Sequence, residues 1–95
     1  MFGIAFEWDQ EKDLANRRKH GVGFAEAITV FDDPLSLTIA DPDHAVGEER
    51  FVIIGRSSER NLLIVVHTER GERIRVISAR PASKYERRNY ENSSA

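Results

Sequence analysis

Residues 50–80 read RFVIIGRSSERNLLIVVHTERGERIRVISAR, and this stretch decides the fold. Arg50–Ser57, Leu62–Thr68 and Arg73–Arg80 are three runs rich in Val and Ile, residues that fit a pleated, half-buried surface. The connections Ser58-Glu59-Arg60-Asn61 and Glu69-Arg70-Gly71-Glu72 are hairpin-sized, so an antiparallel meander is expected. Leu35–Ala40 predicts a further strand, joined to the meander by the polar loop Asp41–Glu49, which holds Pro42 and Gly47.

Working outward, Phe2, Ile4, Phe6 and Trp8 alternate with Gly3, Ala5 and Glu7, the period of a half-buried strand. Asp9 is placed to cap a helix running to about Lys19, with Glu11 in its first turn. Arg17, Arg18 and Lys19 suit the last turn, and Gly21 suits the position just beyond it. Phe24, Ala27, Ile28 and Phe31 then form one apolar stripe of a second helix, stopped by Pro34. After Pro81, Ser83 and Glu86 make a capping box that opens a last helix through Tyr90, and residues 92–95 read as a frayed tail. The predicted class is α+β: an antiparallel-rich sheet of four to five strands, two N-terminal helices and one C-terminal helix. The helices are expected on one face, which leaves the other for solvent or a ligand.

Ninety-five residues suit a single domain, 1–95, with a thin core. With 40% hydrophobic and 32% charged residues, the composition is that of a soluble globular chain. The absence of Cys excludes disulfide scaffolds and thiolate metal sites. The longest apolar run, Leu62–Val66, falls far short of the roughly 20 residues that span a bilayer, and the first residues lack a signal-peptide pattern. A cytoplasmic protein without membrane contact is expected. His44 with Asp41, Asp43 and Glu48 lacks the spacing of a calcium loop, no nucleophile elbow occurs, and Gly21-Val22-Gly23 lacks the rest of a dinucleotide fingerprint. No metal and no cofactor are therefore expected.

The charge is uneven. Formal charge is −2 overall, but −5 over residues 1–45 and +3 over residues 46–95. Nine arginines and Lys84 supply the basic half, and guanidinium is the group suited to bidentate phosphate contacts. Arg50 and Arg56 flank one predicted strand, His67 ends the next, and Arg73, Arg75 and Arg80 lie on the last. In a regular strand Ile74, Val76, Ser78 and Arg80 share one face, while Arg73, Arg75, Ile77 and Ala79 share the other. An Arg within an apolar strand avoids the core unless paired, so Arg75 is expected on the open face, with Arg80 reaching round the edge. Such a face is suited to clamping a phosphodiester. The same arginines suit a solvated surface where Glu48, Glu49, Glu59, Glu69 and Glu72 pair with them. Trp8 and Tyr85 are placed either to stack a base or to pack.

Taken in order, these residues resemble one family. Phe6-Glu7-Trp8-Asp9, Lys12, Asn16, Lys19-His20-Gly21-Val22, Phe24, Ala27 and Phe31-Asp32-Asp33-Pro34 match its N-terminal half. Asp41, His44, Glu48-Glu49-Arg50, Ile54–Ser57, Ile74–Arg80, Ala82, Glu86, Arg87 and Tyr90 match the rest. The series resembles the BrnT ribonuclease toxins of type II toxin–antitoxin systems, with Gly23 standing where that family commonly has Ser or Thr. The resemblance implies a RelE-like fold, metal-independent cleavage of mRNA, and neutralisation in a hetero-oligomer with a cognate antitoxin carrying a DNA-binding domain. On that expectation Arg50, Arg56, Arg75 and Arg80 hold the phosphate, His67 is the candidate acid or base, and Lys19, His20, Trp8, Lys84 and Tyr85 contact RNA. A non-catalytic nucleic-acid or protein binding module is the alternative.

Overall fold

The computed structural model describes residues 4–41 and 49–93. The sequence features on Phe2, Gly3, Asp43, His44, Glu48 and residues 94–95 lie outside the described residues. Along the chain run β1 (Ala5–Glu7), α1 (Gln10–His20), α2 (Phe24–Ala27), a 3-10 helix (Ile28–Asp32), β2 (Leu37–Ala40), β3 (Phe51–Arg56), β4 (Leu62–Arg70), β5 (Arg73–Pro81) and α3 (Lys84–Ser93). The class is α+β. The five strands form one sheet in the order β1-β5-β4-β3-β2. Strands β2 to β5 pair antiparallel as a meander, while β1 joins the far edge of β5 in parallel, which makes the sheet mixed.

Local chemistry accounts for the element ends. Asp9 Oδ1 accepts from the backbone N–H groups of Glu11 (2.9 Å) and Lys12 (3.1 Å), satisfying two of the orphan donors of α1. Gly21 ends the helix at φ 73°, a left-handed conformation that glycine adopts without steric cost. The second helix is shorter than its stripe predicts. After Ala27 it tightens into 3-10 geometry, where β-branched Ile28, Thr29 and Val30 are poorly suited to an α-helix and Thr29 Oγ1 donates to the Glu26 carbonyl at 2.6 Å. Gly23 offers α2 no side-chain cap, but Asp13 Oδ1 reaches across from α1 and accepts from Phe24 N at 2.8 Å.

The core lies between these helices and one sheet face. Val22, Phe24, Ala27 and Val30 meet Ile53, Leu63, Val65, Val76 and Ala79, with Trp8, Ile28 and Phe31 packed at the margin. Gly55 permits the closest approach, since a Cβ there would lie 3.1 Å from both the Cβ and the carbonyl oxygen of Val30.

Two features correct the expected arrangement. Val66 pairs with Ser78 but the next residue, His67, pairs with Val76, so Ile77 is an extra residue bulged out of β5. The bulge reverses the alternation beyond it. Ala79 therefore joins Val76 in the core, and Arg80 joins Arg75 on the face away from α1 and α2. Arg75 and Arg80 thus share a face, which a regular strand forbids. Secondly, α3 does not join the other helices. Its Glu86, Asn89 and Tyr90 line a groove with Leu37, Ile39, Val52, Ile54 and Ile64, side chains of the opposite sheet face. The helices occupy both faces, and α3 covers one end of the open one.

Candidate functional site

A cavity of about 790 Å³ opens where β3, β4 and β5 meet, and is lined by Lys12, Glu49, Arg50, Phe51, Thr68, Glu69, Arg70, Arg75 and Ile77. Arg50, just before β3, and Arg75 of β5 come together here with Arg70 from the end of β4 and Lys12 from α1. Four cations face two carboxylates, Glu49 and Glu69, so the cleft favours an anion. A third carboxylate organises its rim. Glu7 pairs with Arg75 at 3.2 Å, Arg73 at 3.8 Å and Arg70 at 3.9 Å, because the parallel β1–β5 register sets Glu7 directly beside Arg75. One negative charge thus orients three guanidinium groups whose side chains are 31–64% exposed. The net positive charge remains available to a ligand.

The other expected site residues are placed elsewhere. Arg80 donates to both oxygens of Glu86 at 2.8 Å, a bidentate pair, and Glu86 also completes the capping box through Ser83 N at 2.9 Å. The Arg80 guanidinium draws the Glu86 carboxyl down to about 2. Arg80 therefore anchors α3 to β5. Arg56 lies at the opposite end of the sheet, its Cζ 5.8 Å from the centroid of the Tyr90 ring. Beneath it, Asp33 Oδ2 accepts from Arg56 N at 2.8 Å and from Tyr90 Oη at 2.6 Å. Burial pushes the Asp33 carboxyl up, and these hydrogen bonds outweigh it and hold the group below its ordinary value. Trp8 is spent on packing, edge-on to Phe24 at 6.2 Å. Lys19, Lys84 and Tyr85 are exposed, and His20 is half-buried in a second cleft beside Arg56.

His67 is the largest departure from expectation. Its ring points to the helix side of β4 and is 4% exposed, edge-on to Phe31 at 4.9 Å and stacked on Phe51 at 5.8 Å. Nδ1 is buried without a hydrogen-bond partner among the described residues. Burial lowers the imidazole pKa, against smaller opposing effects of the Val65 backbone and Glu69. The folded protein holds the neutral ring while the unfolded chain protonates near 6.5, so stability is full above that pH and falls as the pH drops below it. The thermal midpoint of the wild type is expected to drop between about pH 7 and 5 more steeply than that of a His67→Phe variant. Equal slopes across that range would mean that the ring ionises freely in the fold. The ring faces the helix side of β4, and His67 is not among the residues that line the arginine cleft.

Lys12, Glu7 and Arg70 belong to the cleft but were not singled out as site residues from sequence. The signal for Lys12 was its place in the family-like series. Glu7 shares that signal through Phe6-Glu7-Trp8-Asp9, but its pairing to β5 is non-local and leaves no mark in the sequence.

Comparison with known proteins bears on the family and the fold. The family model described as the ribonuclease toxin BrnT of type II toxin–antitoxin systems matches residues 8–86. The crystal structure of the Brucella abortus ribonuclease toxin BrnT is similar at TM-score 0.61 and 26% identity, covering 85% of this chain and 97% of that one. No curated protein sequence matches the chain.

Proposed function

The chain belongs to the BrnT family of ribonuclease toxins from type II toxin–antitoxin systems, and on that premise we propose that the Arg50–Arg75 cleft is where it cuts mRNA. The observation that carries this reading is the convergence of four cations and two carboxylates in one cleft of about 790 Å³.

The chemistry follows from the groups present. A ribose 2′-OH attacks the adjacent phosphorus, the bond to the 5′-oxygen breaks, and a 2′,3′-cyclic phosphate and a 5′-hydroxyl result. Arg50, Arg70 and Arg75 meet the charge that gathers on the phosphoryl oxygens, the role in which preorganised donors contribute most. Glu49 and Glu69 are the carboxylates within the cleft able to take the 2′-OH proton, and Lys12 is the ammonium able to supply one to the leaving oxygen. No step calls for a metal, since guanidinium groups supply the positive charge.

The family is paired with an antitoxin, which we take to carry a DNA-binding domain and to neutralise the toxin by covering the open face. Two features support that site. The basic cleft complements an acidic segment. Edge strand β2, Leu37–Ala40, is fully uncharged and exposed, with Ile39 63% accessible, a surface ready to accept a further strand.

The test is cleavage of a defined RNA by the purified chain, with mapping of the new ends. Multiple turnovers, cyclic-phosphate ends and retained activity in EDTA are expected. Stoichiometric binding without new ends would favour the binding-module alternative. Activity lost in EDTA and restored by one divalent ion would refute the metal-free route.

A further inference from the structure

We propose that the cleft formed by His20, Arg56, Arg60 and Arg87 is a second phosphate site, which holds the RNA backbone of the substrate away from the scission cleft. It encloses about 320 Å³ at the end of the sheet where the β3–β4 hairpin meets α1 and α3. Three guanidinium groups and an imidazole face it from four elements or turns, and among the described residues only one carboxylate lines it, Glu26. That carboxylate is already engaged, with Oε2 accepting from Ser57 Oγ at 2.6 Å and Asn61 Nδ2 at 2.9 Å. Arg56 is held in place by a hydrogen bond from Nη1 to the Arg60 carbonyl, 3.2 Å, and by the Tyr90 side chain, with which it also hydrogen-bonds, so its guanidinium is fixed at the cleft wall.

An independent observation comes from the backbone. Arg60 has φ 67°, the one non-glycine residue at positive φ among the described residues. It occupies the left-handed position of a three-residue hairpin loop, closed by Arg60 N to Ser57 O at 2.9 Å and Ser57 N to Asn61 O at 2.8 Å. Gly or Asn is favoured there, since a longer side chain brings Cβ strain. Strain of this kind at a cleft is grounds for seeking a function, and here the strained residue delivers a guanidinium to the cavity wall.

The spacing fits one extended ligand. Leu62 lines this cleft and Thr68 lines the scission cleft, six residues along β4, which is about 20 Å of strand. A single phosphate cannot serve both, whereas a single-stranded RNA backbone crosses that distance. This inference rests on the ribonuclease reading for the identity of the strand.

The variant Arg60→Gly with Arg87→Ala separates fold from function, because glycine relieves the backbone and Arg87 is exposed on α3. Its thermal midpoint is expected to match or exceed wild type. Its affinity for a 2′-O-methyl RNA of about twelve nucleotides, which lacks the attacking hydroxyl, is expected to fall about tenfold, with a salt slope shallower by about 1.4. On cleavable RNA, KM should rise with kcat retained. Unchanged affinity overturns the second site, as does an equal loss of kcat, which would move both arginines into the scission chemistry. Loss of antitoxin binding with RNA affinity intact overturns it too, by making the cleft a protein contact. A wild type that binds the oligonucleotide yet leaves cleavable RNA whole would instead remove the ribonuclease reading and keep the phosphate site.

Discussion

Replacing Arg75 by alanine is expected to lower RNA turnover ten- to a hundredfold while leaving cooperative unfolding intact. A charge-assisted hydrogen bond to a phosphoryl oxygen contributes about 1.5–3 kcal/mol, and the rate falls tenfold for each 1.36 kcal/mol lost from the transition state. The fold tolerates the change because Arg75 lies outside the core and its partner Glu7 keeps Arg73 at 3.8 Å and Arg70 at 3.9 Å. Arg75→Lys should recover only part of the activity, since an ammonium keeps the charge and loses the fork. Arg80→Ala is expected to behave in the opposite way. It strips Glu86 of its bidentate partner and loosens α3, so the thermal midpoint drops while turnover per folded molecule persists. Thermal unfolding and RNA turnover on the same preparations decide the matter. Full turnover in Arg75→Ala moves scission out of this cleft, and an unfolded Arg75→Ala makes the residue structural.

The contrast between these two arginines marks where the sequence is legible and where it is not. Short-range chemistry is read well. Asp9 and Gly21 cap α1, and Ser83 with Glu86 caps α3, because each interaction closes within a few residues and depends on local dihedral preference. The meander is legible for the same reason, its hairpin connections being short. The parallel pairing of β1 with β5 spans almost seventy residues, and no local pattern encodes it, so the Glu7 cluster stays hidden. The bulge at Ile77 is hidden too. Arg-Ile-Arg-Val-Ile-Ser-Ala-Arg reads as simple alternation, and a single extra residue reverses every side chain after it. Glu86 was legible as a capping residue but not as the partner of Arg80, since one carboxylate serves both tasks. His67 illustrates a different gap. Residue type alone suggests a titrating acid or base near neutrality, and only the alternation of β4 against Phe31 and Phe51 reveals a ring enclosed by aromatics.

Asn16→Ala should give the largest stability loss of the polar substitutions, about 3 kcal/mol, or roughly 12–24 °C in thermal midpoint for a domain of this size. Asn16 is 7% exposed and makes three hydrogen bonds to backbone. Its Nδ2 donates to the Val22 and Ala79 carbonyls, both at 2.8 Å, and its Oδ1 accepts from Ala79 N at 3.2 Å. The two bonds to Ala79 mimic a neighbouring strand, so α1 seals the part of the β5 edge that short β1 leaves uncovered. Alanine would strand two carbonyls and one N–H in the interior, each costing on the order of 1–3 kcal/mol with partial relief from water. Asn16→Asp is the discriminating control. It keeps the volume and the acceptor but turns the double donor into a carboxylate facing two carbonyls, so it should be at least as damaging as alanine. An Asp variant as stable as wild type would show that shape and not hydrogen bonding holds the edge. The consequence extends to the scission cleft. Ala79 lies two residues beyond the Ile77 bulge, and fixing its backbone fixes the register that turns Arg75 and Arg80 to one face. A destabilised Asn16 variant, assayed at a temperature where it remains folded, should therefore also lose turnover, through an edge that no longer holds β5 in its bulged register.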